Sequence, residues 1–231
     1  MSKTYLIISA MREELSSLVE QMQITTHQTN LNLQIWTGQL LDRDVVLAVS
    51  GIGKVNAALA TQYLIDNYQL DHIFNVGVAG GSNTKVSVGD VCFATQVIQN
   101  DVDTTVFGYK KGEIPRMDTS CFSSTINQSI LTQLKQDDRN YQVHSGLIIS
   151  ADQFTTDRQT ILKLGAKFKA LAKDMESAAI GHTAHLNHVP FTIIRGISDS
   201  SGQDAGDEYK TNLNLAIQNS LSAFTGYFQQ L

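Results

Sequence analysis

Apolar runs of strand length recur along the chain: YLIISA (5–10), DVVLAVS (44–50), HIFNVGVAG (72–80), VGDVCFATQVI (88–98), SGLIIS (145–150) and FTIIRGIS (191–198). Several are continuous rather than alternating, which is the pattern of strands buried on both faces. Helix-like patterns fill the intervals at 13–22, 54–68, 126–135, 158–164 and 174–186, and a last helix is expected over about 209–228. Strands alternating with helices predict an α/β fold, with a largely parallel sheet and helices on both sides. No repeat, low-complexity tract or linker breaks the pattern, so a single domain over 1–231 is expected. Pro115 and Pro190 are the only prolines, and the turns must rely on glycine.

Composition narrows the function classes. With 231 residues, 42% of them hydrophobic, the chain can bury one substantial core. A net charge of −5 supplies no basic footprint for a phosphate backbone, so nucleic acid is excluded as a partner. No apolar stretch approaches the roughly 20 residues of a membrane-spanning helix, and no membrane association is expected. The run from Tyr5 to Met11 meets Arg12, Glu13 and Glu14 at once and reads as a first strand rather than a secretion signal. Cys92 and Cys121 lack metal-ligand spacing and fit a reducing cytoplasm. His182, His185 and His188 stand three apart, and each step of three turns a helix through roughly 300°. They lack the i,i+4 pair of helical zinc sites, so neither a metal nor a cofactor is expected.

Ligands of open α/β sheets bind beyond the carboxyl ends of strands, which directs attention to polar residues just after the apolar runs. Glu14, Glu176 and Asp199 occupy such positions. Each also has a plain structural explanation. Glu14 and Glu176 suit the first turn of a helix, and Asp199 with Ser198, Ser200 and Ser201 suits a polar turn or cap. SGIGK (50–54) lacks the third glycine of a dinucleotide fingerprint and has Val55 where a phosphate-binding loop needs Ser or Thr. GVAGG (77–81) follows a strand, where it would let the backbone approach a ligand or simply make a tight turn.

Seven segments together carry a resemblance: AMREEL (10–15), SGIGKVNAA (50–58), NVGVAGG (75–81), DTTVFGY (103–109), SADQF (150–154), DMESAAIGH (174–182) and RGISDSS (195–201). In this order and over nearly the whole chain, the sequence resembles the bacterial 5′-methylthioadenosine/S-adenosylhomocysteine nucleosidases of the nucleoside phosphorylase superfamily. The resemblance implies a single-domain twisted mixed sheet surrounded by helices, and a homodimer that completes each active site. It implies hydrolysis of the bond between adenine and a 5′-substituted ribose, 5′-deoxyadenosine being a further candidate substrate. Glu14 would activate water, Glu176 would bind the ribose hydroxyls and stabilise the ribosyl cation, and Asp199 would protonate adenine N7. Met175 and Arg195 would border the ribose and the water, Phe154 would lie on the base, and Thr155 would offer backbone groups to its edge. Met11, Ile52, Val78, Ala79, Gly80 and Ser198 would complete the pocket, with Phe107 and Pro115 arriving from the partner subunit.

Four departures bear on specificity. Val78 stands where the family has a serine, Asn100 where a histidine is common, and Asp174 shortens a carboxylate. The segment 202–207 lacks an aromatic that relatives set over the 5′ group, with Gly206 near that position, unless Tyr209 turns inward. A wider range of 5′ substituents is the expected consequence.

The residue types suit the reaction. Bond breaking develops positive charge on the sugar and negative charge on the purine, and both need stabilising. Asp199 must hold a proton while Glu14 stays ionised, so the two carboxylates need unlike environments. A phosphorolytic enzyme would need an anion cradle where Glu14 stands, and a binding protein without turnover would not need all three carboxylates.

Overall fold

The computed structural model describes residues 3–30, 32–199 and 205–231. In chain order these form β1 (Thr4–Ser9), α1 (Ser16–Gln21), β2 (Gln23–Asn30), β3 (Leu33–Leu40), β4 (Arg43–Val49), α2 (Lys54–Asn67), β5 (His72–Gly81) and β6 (Val91–Gln99). There follow β7 (Cys121–Ser123), α3 (Gln128–Gln136), β8 (Val143–Ser150), α4 (Arg158–Phe168), β9 (Ala170–Asp174), α5 (Ser177–Leu186), β10 (Phe191–Asp199) and α6 (Ala205–Phe228).

The continuous apolar runs are central strands covered on both faces. Along β1, Leu6 and Ile8 join a core with Ala57, Ala60 and Leu64 of α2. The alternate residues Tyr5 and Ile7 join a second core with Phe74, Phe224 and Phe228. Full burial of one such side chain is worth about 1.5–3 kcal/mol, so period-two alternation between two apolar cores holds the strand from both sides. In the second core the Phe74 ring meets Phe224 and Phe228 edge-on at 5.5 and 5.6 Å, clamping α6 to the sheet.

The sheet is mixed rather than largely parallel. Five strand pairings are parallel and five antiparallel. The strands missed by the apolar pattern account for most of the antiparallel pairs. β2 is polar apart from Ile24 and exposed along its whole length, an edge strand paired among the described strands with β3 alone. β9 is five residues ending in Lys173 and Asp174, too short and too polar to register as a strand.

One feature of the topology creates the site. β10 runs beside β5 from Ile73 to Gly80 and occupies one edge of that strand. The other edge is shared. β1 pairs with it only as far as Ile8 and Asn75, and β9 joins only at Gly80 and Gly81. Between these contacts the sheet parts, and among the described residues no strand lies beside Val76–Ala79 on that edge.

Candidate active site

Side chains fill the parting of the sheet. Beyond β1 the chain makes a 3-10 turn, Arg12–Glu14, where a longer helix had been expected. Glu14 uses its two oxygens differently. One accepts the Met11 N–H at 2.9 Å, the local cap that its helix-start position suggests, while the other accepts the Val78 N–H at 3.0 Å in place of the missing strand. Gly77 leaves room for this contact, because a Cβ there would stand 2.5 Å from the Glu14 carboxylate and force it to shift. Glu14 is 3% exposed. Burial raises its pKa, opposed by Arg195 and by the backbone N–H donors.

Arg195 is buried in β10, with its donors spent inside the protein. Nε donates to Asp174 at 2.7 Å, Nη1 to the backbone carbonyls of Asn75 and Ile194, and Nη2 to the Asn75 side chain. Arg195, which the resemblance set beside the ribose and the water, is not among the residues lining the cavity. It ties Asp174 into the core and sets positive charge behind Glu14.

Glu176 starts α5, as its position suggested, but its side chain makes no capping hydrogen bond. Asp174 caps α5 instead, accepting from the Ser177 N–H and hydroxyl and from Ser150 Oγ. Glu176, at the N-cap position, turns away and accepts the Gly53 N–H at 2.8 Å. Burial and Asp174 push its pKa up to about 7, against the pull of the Gly53 hydrogen bond and Arg195.

Asp199 ends β10 just past an irregularity. Ile197 pairs with Ala79 and Asp199 with Gly80, so Ser198 is the extra residue of a bulge. The Ser198 hydroxyl lies 2.9 Å from Asp199 Oδ2 and 3.3 Å from the Ala79 carbonyl. Asp199 is 3% exposed.

These groups share a cavity of about 330 Å³. Of the residues singled out in the sequence, Met11, Glu14, Ile52, Val78, Ala79, Gly80, Phe154, Thr155, Met175, Glu176, Ser198 and Asp199 line it. Phe107 and Pro115 do not. Phe107 sits at the end of the 3-10 turn Thr105–Phe107, 78% exposed, and Pro115 is half-buried further along the same segment.

Ala10, Gln153, Ile161, Lys173, Asp174 and Tyr209 also line it; of these the sequence raised only Tyr209 for the pocket, as an alternative, and Lys173 and Tyr209 matter most. Lys173 follows from the unrecognised β9. Tyr209 comes one turn into α6; its ring meets Phe154 edge-on at 5.8 Å and its hydroxyl lies 3.5 Å from Met11 Sδ. Of the segment expected to lack an aromatic, 202–204 lie outside the described residues, as do Ser200 and Ser201, and Gly206 lies in the first turn of α6. The DEY run thus brings an aromatic to the cavity three residues beyond Gly206.

Among the described residues no group of three or more His, Cys, Asp or Glu could hold a metal, and no helix is long and apolar enough to cross a membrane. Buried carboxylates around an apolar cavity at the parting of a mixed sheet define a site for small-molecule chemistry run by protein acids and bases. The chain belongs to the phosphorylase superfamily, whose sequence model matches residues 4–228.

Within that family it is 33% identical to the 5′-methylthioadenosine/S-adenosylhomocysteine nucleosidase of Bacillus thuringiensis, over 97% of this chain and 98% of the relative. Its fold superposes with a TM-score of 0.93 on the nucleosidase of that name from Neisseria meningitidis in complex with methylthio-immucillin-A, at 34% identity over 99% of this chain and all of that one. A Colwellia psychrerythraea nucleosidase in complex with adenine matches equally well, with a TM-score of 0.93 at 33% identity over the whole of this chain and 96% of that one.

Proposed function

We propose that this chain is a hydrolase that cuts the N-glycosidic bond of 5′-methylthioadenosine and S-adenosylhomocysteine, releasing adenine and the 5-substituted ribose. The observation that carries the reading is the meeting of Glu14, Glu176 and Asp199, each at or just beyond the end of a different strand, in one cavity with Phe154 and Met175.

In this reading Glu14 takes the proton from the attacking water. Its two N–H donors and the Arg195 charge favour the ionised form that a base needs, while burial raises its affinity for the proton it must accept. Glu176, with a pKa of about 7, binds a ribose hydroxyl, and the growing positive charge on the sugar favours its carboxylate form. Asp199 gives its proton to N7, so that adenine leaves neutral. Phe154 lies on the base, and Thr155 offers backbone groups to its edge. Tyr209, beside Met11 and Phe154, takes at the 5′ end the role of the aromatic that relatives carry near the position of Gly206.

The assembly is a homodimer in which Phe107 and Pro115 of one subunit close the 5′ end of the other's cavity. An aromatic ring 78% exposed is the composition of an interface anchor. The whole chain is one domain, acting on a small-molecule nucleoside in the reducing cytoplasm. Its two cysteines are unbridged, which suits that compartment.

The test follows adenine or hypoxanthine release from methylthioadenosine, S-adenosylhomocysteine, 5′-deoxyadenosine and inosine, with and without inorganic phosphate. Adenine release that is independent of phosphate is expected. Release that requires phosphate would make the enzyme a phosphorylase, and release from inosine alone would overturn the base assignment.

A further inference from the structure

Among the described residues, Lys173 is the one cation lining the cavity, whose other charged residues are Glu14, Asp174, Glu176 and Asp199. It is 7% exposed, and burial pulls its pKa down while Asp174, Asp101 and Asp199 hold it up. A buried lysine costs folding free energy, and an apolar side chain of similar volume would commonly be as stable or more so. None of the steps above uses this residue.

Its position gives it a task. Gly80 of β5 pairs with Lys173 on one side and with Asp199 on the other, so the lysine and the proposed acid flank the same glycine. From there the ammonium donates to the backbone carbonyl of Gln153. Residues 151–157 have no regular structure, and Phe154 and Thr155 follow directly. The loop is pinned from its other side as well. Asp152 accepts the Lys54 N–H at 2.7 Å, and its own N–H donates to Asp101, which is ion-paired to the Lys54 ammonium at 2.7 Å. Gly53, next to Lys54, holds Glu176.

We infer that Lys173 is a positioning residue for the purine: it clamps the Gln153 carbonyl so that the loop presents the Phe154 ring and the Thr155 backbone to the base in a fixed geometry. An irregular, exposed loop has no strand neighbour to fix its carbonyls, and a buried ammonium is a strong donor for that purpose. The inference rests on the adenine site proposed above.

Three proteins separate the possibilities: wild type, Lys173→Met, which loses the donor, and Lys173→Gln, which keeps a neutral one. Adenine binding by calorimetry, amide hydrogen exchange over 152–155 and Tm are read for each. Lys173→Met is expected to bind adenine about tenfold more weakly, to exchange faster over 152–155, and to melt no lower than wild type. Lys173→Gln is expected to recover most of the affinity. Wild-type adenine affinity in Lys173→Met, or unchanged loop exchange, would overturn the clamp alone. A Tm well below wild type would make Lys173 a structural residue and overturn it too. A wild-type protein that does not bind adenine would overturn the purine site itself.

Discussion

The floor and the rim of the cavity are built on opposite principles. The floor consists of strand ends and the residues just beyond them, and its acids are 3–6% exposed, each tied to backbone or core groups. The rim consists of the loop 151–157 and the start of α6, and on it Phe154 is 53% exposed. A preorganised floor fixes the chemistry, since groups aimed before the reaction need no rearrangement during it. The rim is left to grip the ligand and to choose it. Changes to the floor should therefore alter turnover, and changes to the rim should alter which nucleoside is preferred.

The sharpest test of this division is Asp199→Asn, which keeps size and loses the proton. We expect kcat to fall by about 10³–10⁴-fold with the protein still folded. Near-normal turnover would remove Asp199 as the acid. Glu14→Gln comes next, with a loss of about 10²–10³-fold in kcat and ligand affinity largely kept. If binding fell in step with turnover, Glu14 would be a ligand contact first. Gly77→Ala probes the same carboxylate without touching it. Its Cβ would crowd Glu14 Oε1, so a smaller but clear loss of kcat is expected, of order tenfold.

On the rim, Tyr209→Ala should lower kcat/KM for methylthioadenosine relative to adenosine by several-fold. A lost aromatic contact of about 40 Å² is worth on the order of 1 kcal/mol. An unchanged ratio would mean that the 5′ group lies elsewhere. The smallest effect is on stability. Glu176 has a folded pKa of about 7 against the ordinary 4.5 of a glutamate, so the native state binds its proton more tightly than the unfolded chain does. Stability must then fall as pH rises from about 4.5 to about 7, and the loss is complete above that window. Glu176→Gln should therefore melt a few degrees above wild type at pH 8 and at the same temperature near pH 4. A constant difference across that range would contradict the raised pKa.

Much of the floor was legible in the sequence because burial on two faces writes itself as unbroken apolar runs. β1, β4, β5 and β10 were readable in that way, and so were the acids that follow β1 and end β10. What was hidden depends on contacts between distant segments. Nothing near Glu176 tells that Asp174 takes over the capping of α5 and frees Glu176 to reach Gly53, 123 residues away in the chain. β9 went unseen because a central strand ending in Lys173 and Asp174 is stable only where Arg195 and the Gln153 carbonyl receive it. At the rim the sequence left two alternatives one turn of helix apart, a bare Gly206 or Tyr209 turned inward. Gly206 offered no side chain, while Tyr209, which faces the cavity, could not be assigned to it without knowing where α6 begins.

The parting of the sheet along β5 also sets a schedule. Glu14 and Val78 are 64 residues apart, Asn75 and Arg195 are 120 apart, and Arg195 belongs to the last strand of the chain. Contacts of such long sequence separation form slowly, because loop closure must be paid in entropy before they return any stabilisation. Helical signal can recover early in refolding from denaturant, but the carboxylates cannot be assembled until β10 has docked between β5 and β6. The enzyme's activity is accordingly a clock for that docking, expected to reappear only once β10 is in place and never ahead of it.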